Sequence, residues 1–440
     1  MTRIVCCIAF FVALIAPKVV DAGSEAYEEG VSLCKKGYYD AGIAAFTDAI
    51  RATPTDAKPY IARGYAYSLR AKRSSAVGPS TNGDREKRDL DSAAADYTEA
   101  IRLDPNNVRT HVNRGRVFNS QGQREKALAD YTEAIRIDPK CAEAYVNRGS
   151  LLGETDNDKA IADYTEAIRI SPRLAAAYYN RGNAYQKKSE FDSAIRDYTT
   201  CIELNPEAMS AYISRGDSLE KNCEHDKAIA DYTKAIELEP KDPALYDSRG
   251  YVYQEVGQRD KAIADYDEAI RREPNFADAY KHRGYSLEEK GDFDGAIRSF
   301  NEALRLNPKD GEAYMCRGDA NASKHELEKA ISDYSEVIRL QPRNAKAYYA
   351  RGLTLCRRAL RLDNLDSRKL GCQKAVADYT EVIRLQPRNA KAYYLRGIAY
   401  AAIGEEAKAK DDDVQAMKLG YKGDEGSEQH GSEQTRPAKE

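Results

Sequence analysis

Apolar and small residues along this chain fall on short helical faces that come in pairs. In one stretch Tyr178, Gly182 and Tyr185 are spaced by four and three positions, and Ala194, Tyr198 and Cys201 repeat that spacing before Pro206. Steps of three and four put side chains on one face of an α-helix. Proline has no N–H to donate and ends the second segment. The pattern predicts helix, turn, helix, stop.

The large residue of the second segment recurs as Phe46, Tyr97, Tyr131, Tyr164, Tyr198, Tyr232, Tyr266, Phe300, Tyr334 and Tyr379, with Asp413 in its place in a last, altered copy. Eleven units result, most with a period of 34 residues, as from Tyr198 to Tyr232 to Tyr266. They run approximately over 23–56, 57–107, 108–141, 142–174, 175–208, 209–242, 243–276, 277–310, 311–344, 345–389 and 390–420. Each carries a glycine in its first segment (Gly30, Gly64, Gly115, Gly149, Gly182, Gly216, Gly250, Gly284, Gly318, Gly352, Gly397), as a place for close packing. A unit this short cannot bury its own apolar face, so the copies must stack.

Tyr178, Gly182, Tyr185, Ala194, Tyr198 and Pro206 fall on the tetratricopeptide signature, with tyrosine where the signature begins with tryptophan. The chain resembles that family from about Ser24 to Gly420. The resemblance implies an all-α fold, a right-handed α-solenoid (superhelix) of tetratricopeptide helix-turn-helix repeats, whose first helices line a concave groove for a peptide or partner protein. Most of the 31 tyrosines sit at scaffold positions, so their abundance points to core filling and not to stacking platforms for sugars or nucleic acid.

Where the family usually has leucine before the glycine, this chain has arginine: Arg63, Arg114, Arg148, Arg181, Arg215, Arg249, Arg283, Arg317, Arg351 and Arg396. Before the second-segment aromatic stands aspartate: Asp96, Asp130, Asp163, Asp197, Asp231, Asp265, Asp333 and Asp378, with Asp412 in the last unit and Ser299 as the exception. The first unit lacks both partners, carrying Glu29 and Ala45. Presence and loss together predict that each arginine forks onto an aspartate as a structural ion pair. A nucleic-acid track would need uncompensated positive charge, and the net charge is -3.

By position, the groove implied by the resemblance is lined by Asn113, Asn147 and Asn180 in successive repeats, similar to the asparagine ladder with which some relatives hold a peptide backbone. Amides suit that task because each both donates and accepts. Farther along, the lining turns acidic and aromatic: Tyr179, Asp217, Glu220, Asp247, Tyr251, Gln254, Glu255, Tyr285, Glu288, Glu289 and Asp319. A basic or neutral extended ligand is therefore expected. Relatives that clamp a C-terminal carboxylate have lysines and arginines at these sites, so that specificity does not carry over.

The amino terminus has Arg3, an apolar run from Ile4 to Ala16 and then Val20-Asp21-Ala22, which reads as a secretory signal peptide over 1–22, cleaved after Ala22. The run is short for a bilayer span. An uncleaved anchor is the alternative. Residues 421–440 are polar and expected to be disordered. Two units are lengthened at the turn between their helices: Ala71 to Ser92, rich in Ser, Gly and charge, reads as a loop, and Arg357 to Lys374 as a basic knob extending the helices. Of nine cysteines, Cys6 and Cys7 fall in the apolar run, and the other seven include Cys356 and Cys372, which flank the second insertion and could bridge.

Five scattered histidines, with no metal-ligand spacing, nucleophile elbow or phosphate loop, argue against an enzyme, and no catalytic, cofactor-binding or metal residue is assigned. The expected function is a non-enzymatic protein-protein interaction scaffold, periplasmic or secreted, with no nucleic acid partner and no membrane span after signal cleavage. A cytosolic co-chaperone-like adaptor is the alternative if the leader is not a signal.

Overall fold

The computed structural model describes residues 22–75 and 79–421, so the expected leader and tail lie outside it, apart from Ala22 and Tyr421. The chain forms two units, Met1–Asn222 and Cys223–Glu440. In the first, α1 covers 22–35, followed by α2 (Tyr39–Ala52), α3 (Ala57–Ser75), α4 (Pro79–Leu103), α5 (Val108–Ser120), α6 (Arg124–Ile137), α7 (Ala142–Leu152), α8 (Asn157–Ile170), α9 (Ala175–Lys187), α10 (Phe191–Leu204) and α11 (Met209–Lys221). The second holds α12 (His225–Leu238), α13 (Pro243–Glu255), α14 (Arg259–Arg272), α15 (Ala277–Glu289), α16 (Phe293–Leu306), α17 (Gly311–Ser323), α18 (Leu327–Leu340), α19 (Ala345–Ala359), α20 (Leu365–Leu385), α21 (Ala390–Ile403) and α22 (Glu406–Lys418). Odd-numbered helices are the first helices of their repeats, and within each unit, from α2 onward, every helix packs on the next. Among the described residues there is no strand, and no helix is long and apolar enough to cross a membrane.

Each of the first ten repeats closes on its aromatic residue. Phe46, Tyr131, Tyr198, Tyr266, Phe300 and Tyr334 are at most 2 % exposed. Their rings press against the first-helix glycine: a Cβ added at Gly182 would meet Tyr198 Cε1 at 2.7 Å, and one at Gly284 would meet Phe300 Cε1 at 2.5 Å. Alanines such as Ala160, Ala194 and Ala262, fully buried, hold the same seam open for close packing. In most repeats the tight turn to the second helix passes through a left-handed residue, supplied by Gly257 and Gly291 but also by His325 at φ 62°.

Eight arginines fork onto their aspartates inside these seams. Arg63, Arg114, Arg148, Arg181, Arg249, Arg317, Arg351 and Arg396 donate through Nε at 2.7–3.1 Å and Nη2 at 2.6–2.8 Å to Asp96, Asp130, Asp163, Asp197, Asp265, Asp333, Asp378 and Asp412. Arg215 and Asp231 hold the same repeat positions, one in each unit.

A third contact adds to the expected fork. The remaining guanidinium nitrogen, Nη1, donates to the residue after the aromatic of the preceding repeat: Arg63 to Thr47 (3.0 Å), Arg181 to Thr165 (3.0 Å), Arg215 to Thr199 (3.0 Å), Arg249 to Thr233 (3.0 Å), Arg351 to Ser335 (3.0 Å). Each arginine thus ties its own repeat to the one before. The guanidinium also lies over the leading tyrosine of its helix, at 5.8 Å for Arg181 on Tyr178 and 5.3 Å for Arg317 on Tyr314.

The exceptional repeat moves its carboxylate instead of losing it. Arg283 Nε meets Ser299 Oγ at 3.1 Å, while Nη1 meets Asp267, which stands where most other repeats have threonine, at 2.5 Å. Asp267 is 55 % exposed, so that pair is worth roughly 1 kcal/mol or less. Asp267→Thr is expected to lower stability by about that amount, and adding Ser299→Asp to restore it. A urea titration in which the double variant is less stable than Asp267→Thr alone would show that the carboxylate has not simply moved.

The first insertion departs from expectation: 71–75 continue α3 and 79–92 begin α4, so the segment is helical on both sides instead of a loop. Arg70 explains it, forking onto Asp89 (Nε–Oδ2 2.9 Å) and also pairing with Asp40, while Ala71 and Leu90 are buried. The second insertion lengthens α19 and α20, with Asn364 capping the latter by accepting from Ser367 N at 2.9 Å.

Candidate partner-binding surface

With glycine, aromatic and arginine fixing one side of each first helix, the residue two before the glycine falls on the side away from the seam. In the first unit this position is Asn113, Asn147 and Asn180 on α5, α7 and α9, all half-buried. Asn147 Nδ2 is buried and has no hydrogen-bond partner. Asn180 borders a cavity of about 170 Å³ between α7, α8 and α9, together with Ser150, Asn157, Asn183, Tyr164 and Lys187. Asn157 Oδ1 is likewise buried and unpaired. An unsatisfied donor and an unsatisfied acceptor, each costing roughly 1–3 kcal/mol, thus lie on neighbouring helices.

In three repeats the residue after the glycine receives the hydroxyl of the buried tyrosine. Tyr198 donates to Asn183 Oδ1 at 2.7 Å, Tyr334 to Asp319 Oδ1 at 2.7 Å and Tyr164 to Ser150 Oγ at 3.3 Å. Where that neighbour is Val31 or Tyr285 the core residue is Phe46 or Phe300, which has no hydroxyl to place. Tyr266, whose neighbour across the seam is Tyr251, reaches Gln254 instead, and the hydroxyl of Tyr379, beside Leu353, is buried without a hydrogen-bond partner. Tyr179, a first-helix residue, packs its ring on Tyr198 at 5.9 Å, and Tyr285 packs on Phe300 at 5.6 Å. Asp217 and Glu220 on α11 are half-buried, Glu220 meeting Lys221 at 3.1 Å.

The second unit holds the acidic stretch. Asp247 pairs with His282 Nδ1 at 2.9 Å, and the imidazole packs between Tyr251 (6.1 Å) and Tyr266 (5.7 Å). Gln254 accepts from Tyr266 and from Ser286 at 3.2 and 2.8 Å. Tyr251 and Glu255 are exposed. Deeper in, burial and then the charges of Asp319 and Glu289 push the Glu288 carboxyl up to about 7, and burial raises Asp319 against the hydrogen bond from Tyr334. The Tyr285 hydroxyl is sequestered beside Cys316 and Glu312.

His282 and Cys316 carry no signal of their own in the sequence, yet they stand two before Gly284 and Gly318, the position of the asparagines. The repeat register marks them. Residue type hides them.

A surface of polar and aromatic side chains borne on stacked helix pairs defines the class: a helical-repeat scaffold for protein-protein interaction. Profiles described as tetratricopeptide repeat match residues 248–310, 283–345 and 368–416, and a second matches 175–207 and 210–242; one described as TPR repeat matches 115–156 and 156–189. Together they span more than half of the chain, which belongs to the tetratricopeptide repeat family. No curated protein matches. Among solved structures, YrrB, described as a TPR protein with an unusual peptide-binding site, is 27% identical over 44% of this chain and 95% of its own, with a TM-score of 0.37. A crystal structure of MamA is 31% identical over 37% of this chain and 97% of its own, TM-score 0.34. The C-terminal part of a TPR repeat-containing protein from Cytophaga hutchinsonii is 21% identical over 56% and 96%, TM-score 0.47.

Proposed function

We propose that the chain binds an extended segment of a partner protein along its first helices, the asparagines of the first unit holding the main chain and the acidic, aromatic stretch of the second taking basic side chains. The unpaired Asn147 Nδ2 carries this reading, with the unpaired Asn157 Oδ1, which lines a cavity with Asn180, in support: a peptide main chain offers a complement to each. On an array of extended peptides, basic and neutral sequences bind in preference to acidic ones. Asn147→Ala and Asn180→Ala each weaken binding by about fivefold, one neutral hydrogen bond's worth. A cation is held by ionised Glu288, whose carboxyl titrates at about 7, so affinity for a basic peptide rises with pH through that value and protons are released on binding. Preference for acidic peptides, or binding untouched by Tyr251→Ala with Glu255→Lys, sinks the assignment.

The reading includes export directed by residues 1–22, on the leader-like pattern of Arg3 and the apolar run. Fractionation of a tagged chain tests it, a cytosolic pool of full-length protein being the outcome against it.

A further inference from the structure

The seam between α19 and α20 runs in one register: Arg351 meets Asp378, Gly352 meets Tyr379 and, two turns along, Ala359 meets Gly371. Cys356 and Cys372 fall between these contacts on the same seam, one on each helix. A disulfide needs Cα atoms within about 7 Å, closer than the usual 8–10 Å between packed helix axes. Here the small residues Ala359 and Gly371 draw the backbones together beside Cys372. A Cβ on Gly371 would stand 2.8 Å from that of Ala359. Burial raises both thiols, and each lies near enough to shift the other's titration. The other five cysteines among the described residues, Cys34, Cys141, Cys201, Cys223 and Cys316, lie in separate repeats.

We propose that Cys356 and Cys372 are an oxidisable pair that forms a disulfide by exchange with an organic disulfide, stapling α19 to α20 at the base of the basic knob. Cys356 is half-buried and Cys372 is 1 % exposed, so Cys356 meets the organic disulfide first, as the attacking thiol. Its thiolate displaces one thiolate from the organic disulfide and forms a mixed disulfide. Cys372 then attacks the Cys356 sulfur, expelling the second thiolate; the two protein protons end on the two released thiols, and the organic disulfide is reduced as the pair is oxidised. Burial pushes the Cys356 thiol up to about 12, which makes the exchange slow. Burial raises the Cys372 thiol as well, and Cys356 and then Arg368, one turn before it, offset part of that rise. The bond closes over a segment that carries Arg357, Arg358, Arg361, Arg368 and Lys369 and exposes Leu360, Leu365 and Leu370, and it limits the opening of that tip.

The test equilibrates the folded full chain with excess glutathione disulfide, quenches with an alkylating agent and maps peptides by mass. The expected result is one species in which the Cys356 and Cys372 peptides are joined, with loss of two titratable thiols and slower proteolysis within 357–371. In Cys372→Ser, glutathione stays attached to Cys356. Two separate adducts in the wild type, both cysteines persisting as thiols, or a bond from either to another cysteine would overturn the proposal. Because the principal readout uses the unmutated chain, a folding defect in the serine variant leaves the proposal just as open to refutation.

Discussion

Arg181→Ala is expected to destabilise the fold by about 3–5 kcal/mol, because it strands the buried carboxylate of Asp197. The two side chains are 17 and 8 % exposed, and the fork is two-pronged, with Nε to Oδ2 at 2.7 Å and Nη2 to Oδ1 at 2.8 Å. Those bonds hold the guanidinium more firmly protonated than usual, against the cost of burying it. Asp197→Ala leaves an equally unpaired cation. The double variant should cost much less than the sum, since a buried pair replaced as a whole gives up little net energy. Arg181→Ala should also exceed Asp197→Ala, because it alone breaks the link to Thr165 in the preceding repeat. Repeat arrays unfold in stages, so hydrogen exchange on α8 to α10 is a better measure than one global melt. Additive single costs, or costs below about 1 kcal/mol, would reduce the ladder to decoration.

The fork is legible because both partners repeat, and because both are missing from the first unit, at Glu29 and Ala45. Its third prong is not. A threonine after the aromatic reads as ordinary helix surface until the next repeat's first helix lies against it, and its role shows in the sequence only where Asp267 and Ser299 exchange places. The first insertion hides its helices for a related reason. Its Ser and Gly content suggests a loop, yet the run Asp84 to Arg88 favours helix, and Asp89, which receives Arg70, becomes informative only when α3 and α4 are side by side. On the binding face, position within the repeat is more telling than residue type. Asparagines announce the ladder, whereas His282 and Cys316 occupy the same rung in other chemistry.

The same logic gives the second large effect a sign that helix propensity alone would get wrong. Gly284 lies inside α15, where alanine should gain about 0.5–1 kcal/mol. Its Cβ, however, would press on Phe300 Cε1 at 2.5 Å and on Cδ1 and Cζ at 2.8 Å. Phe300 is fully buried and backed by Tyr285, so the ring has nowhere to move. Overpacking of this kind costs about 1–3 kcal/mol and outweighs the propensity gain. Gly153, which follows α7 with φ of -63°, is the control. There a Cβ would stand 3.4 Å from Ala160 Cβ, an ordinary contact, and no left-handed backbone is at stake. Gly284→Ala is therefore expected to destabilise by about 1–2 kcal/mol and Gly153→Ala to be neutral or stabilising. Phe300→Leu added to Gly284→Ala should recover part of the loss by vacating the ring's place, although it removes buried area of its own. If chemical denaturation shows both alanines stabilising alike, the glycine is not there to admit the ring, and the close packing on which each repeat is built has another cause.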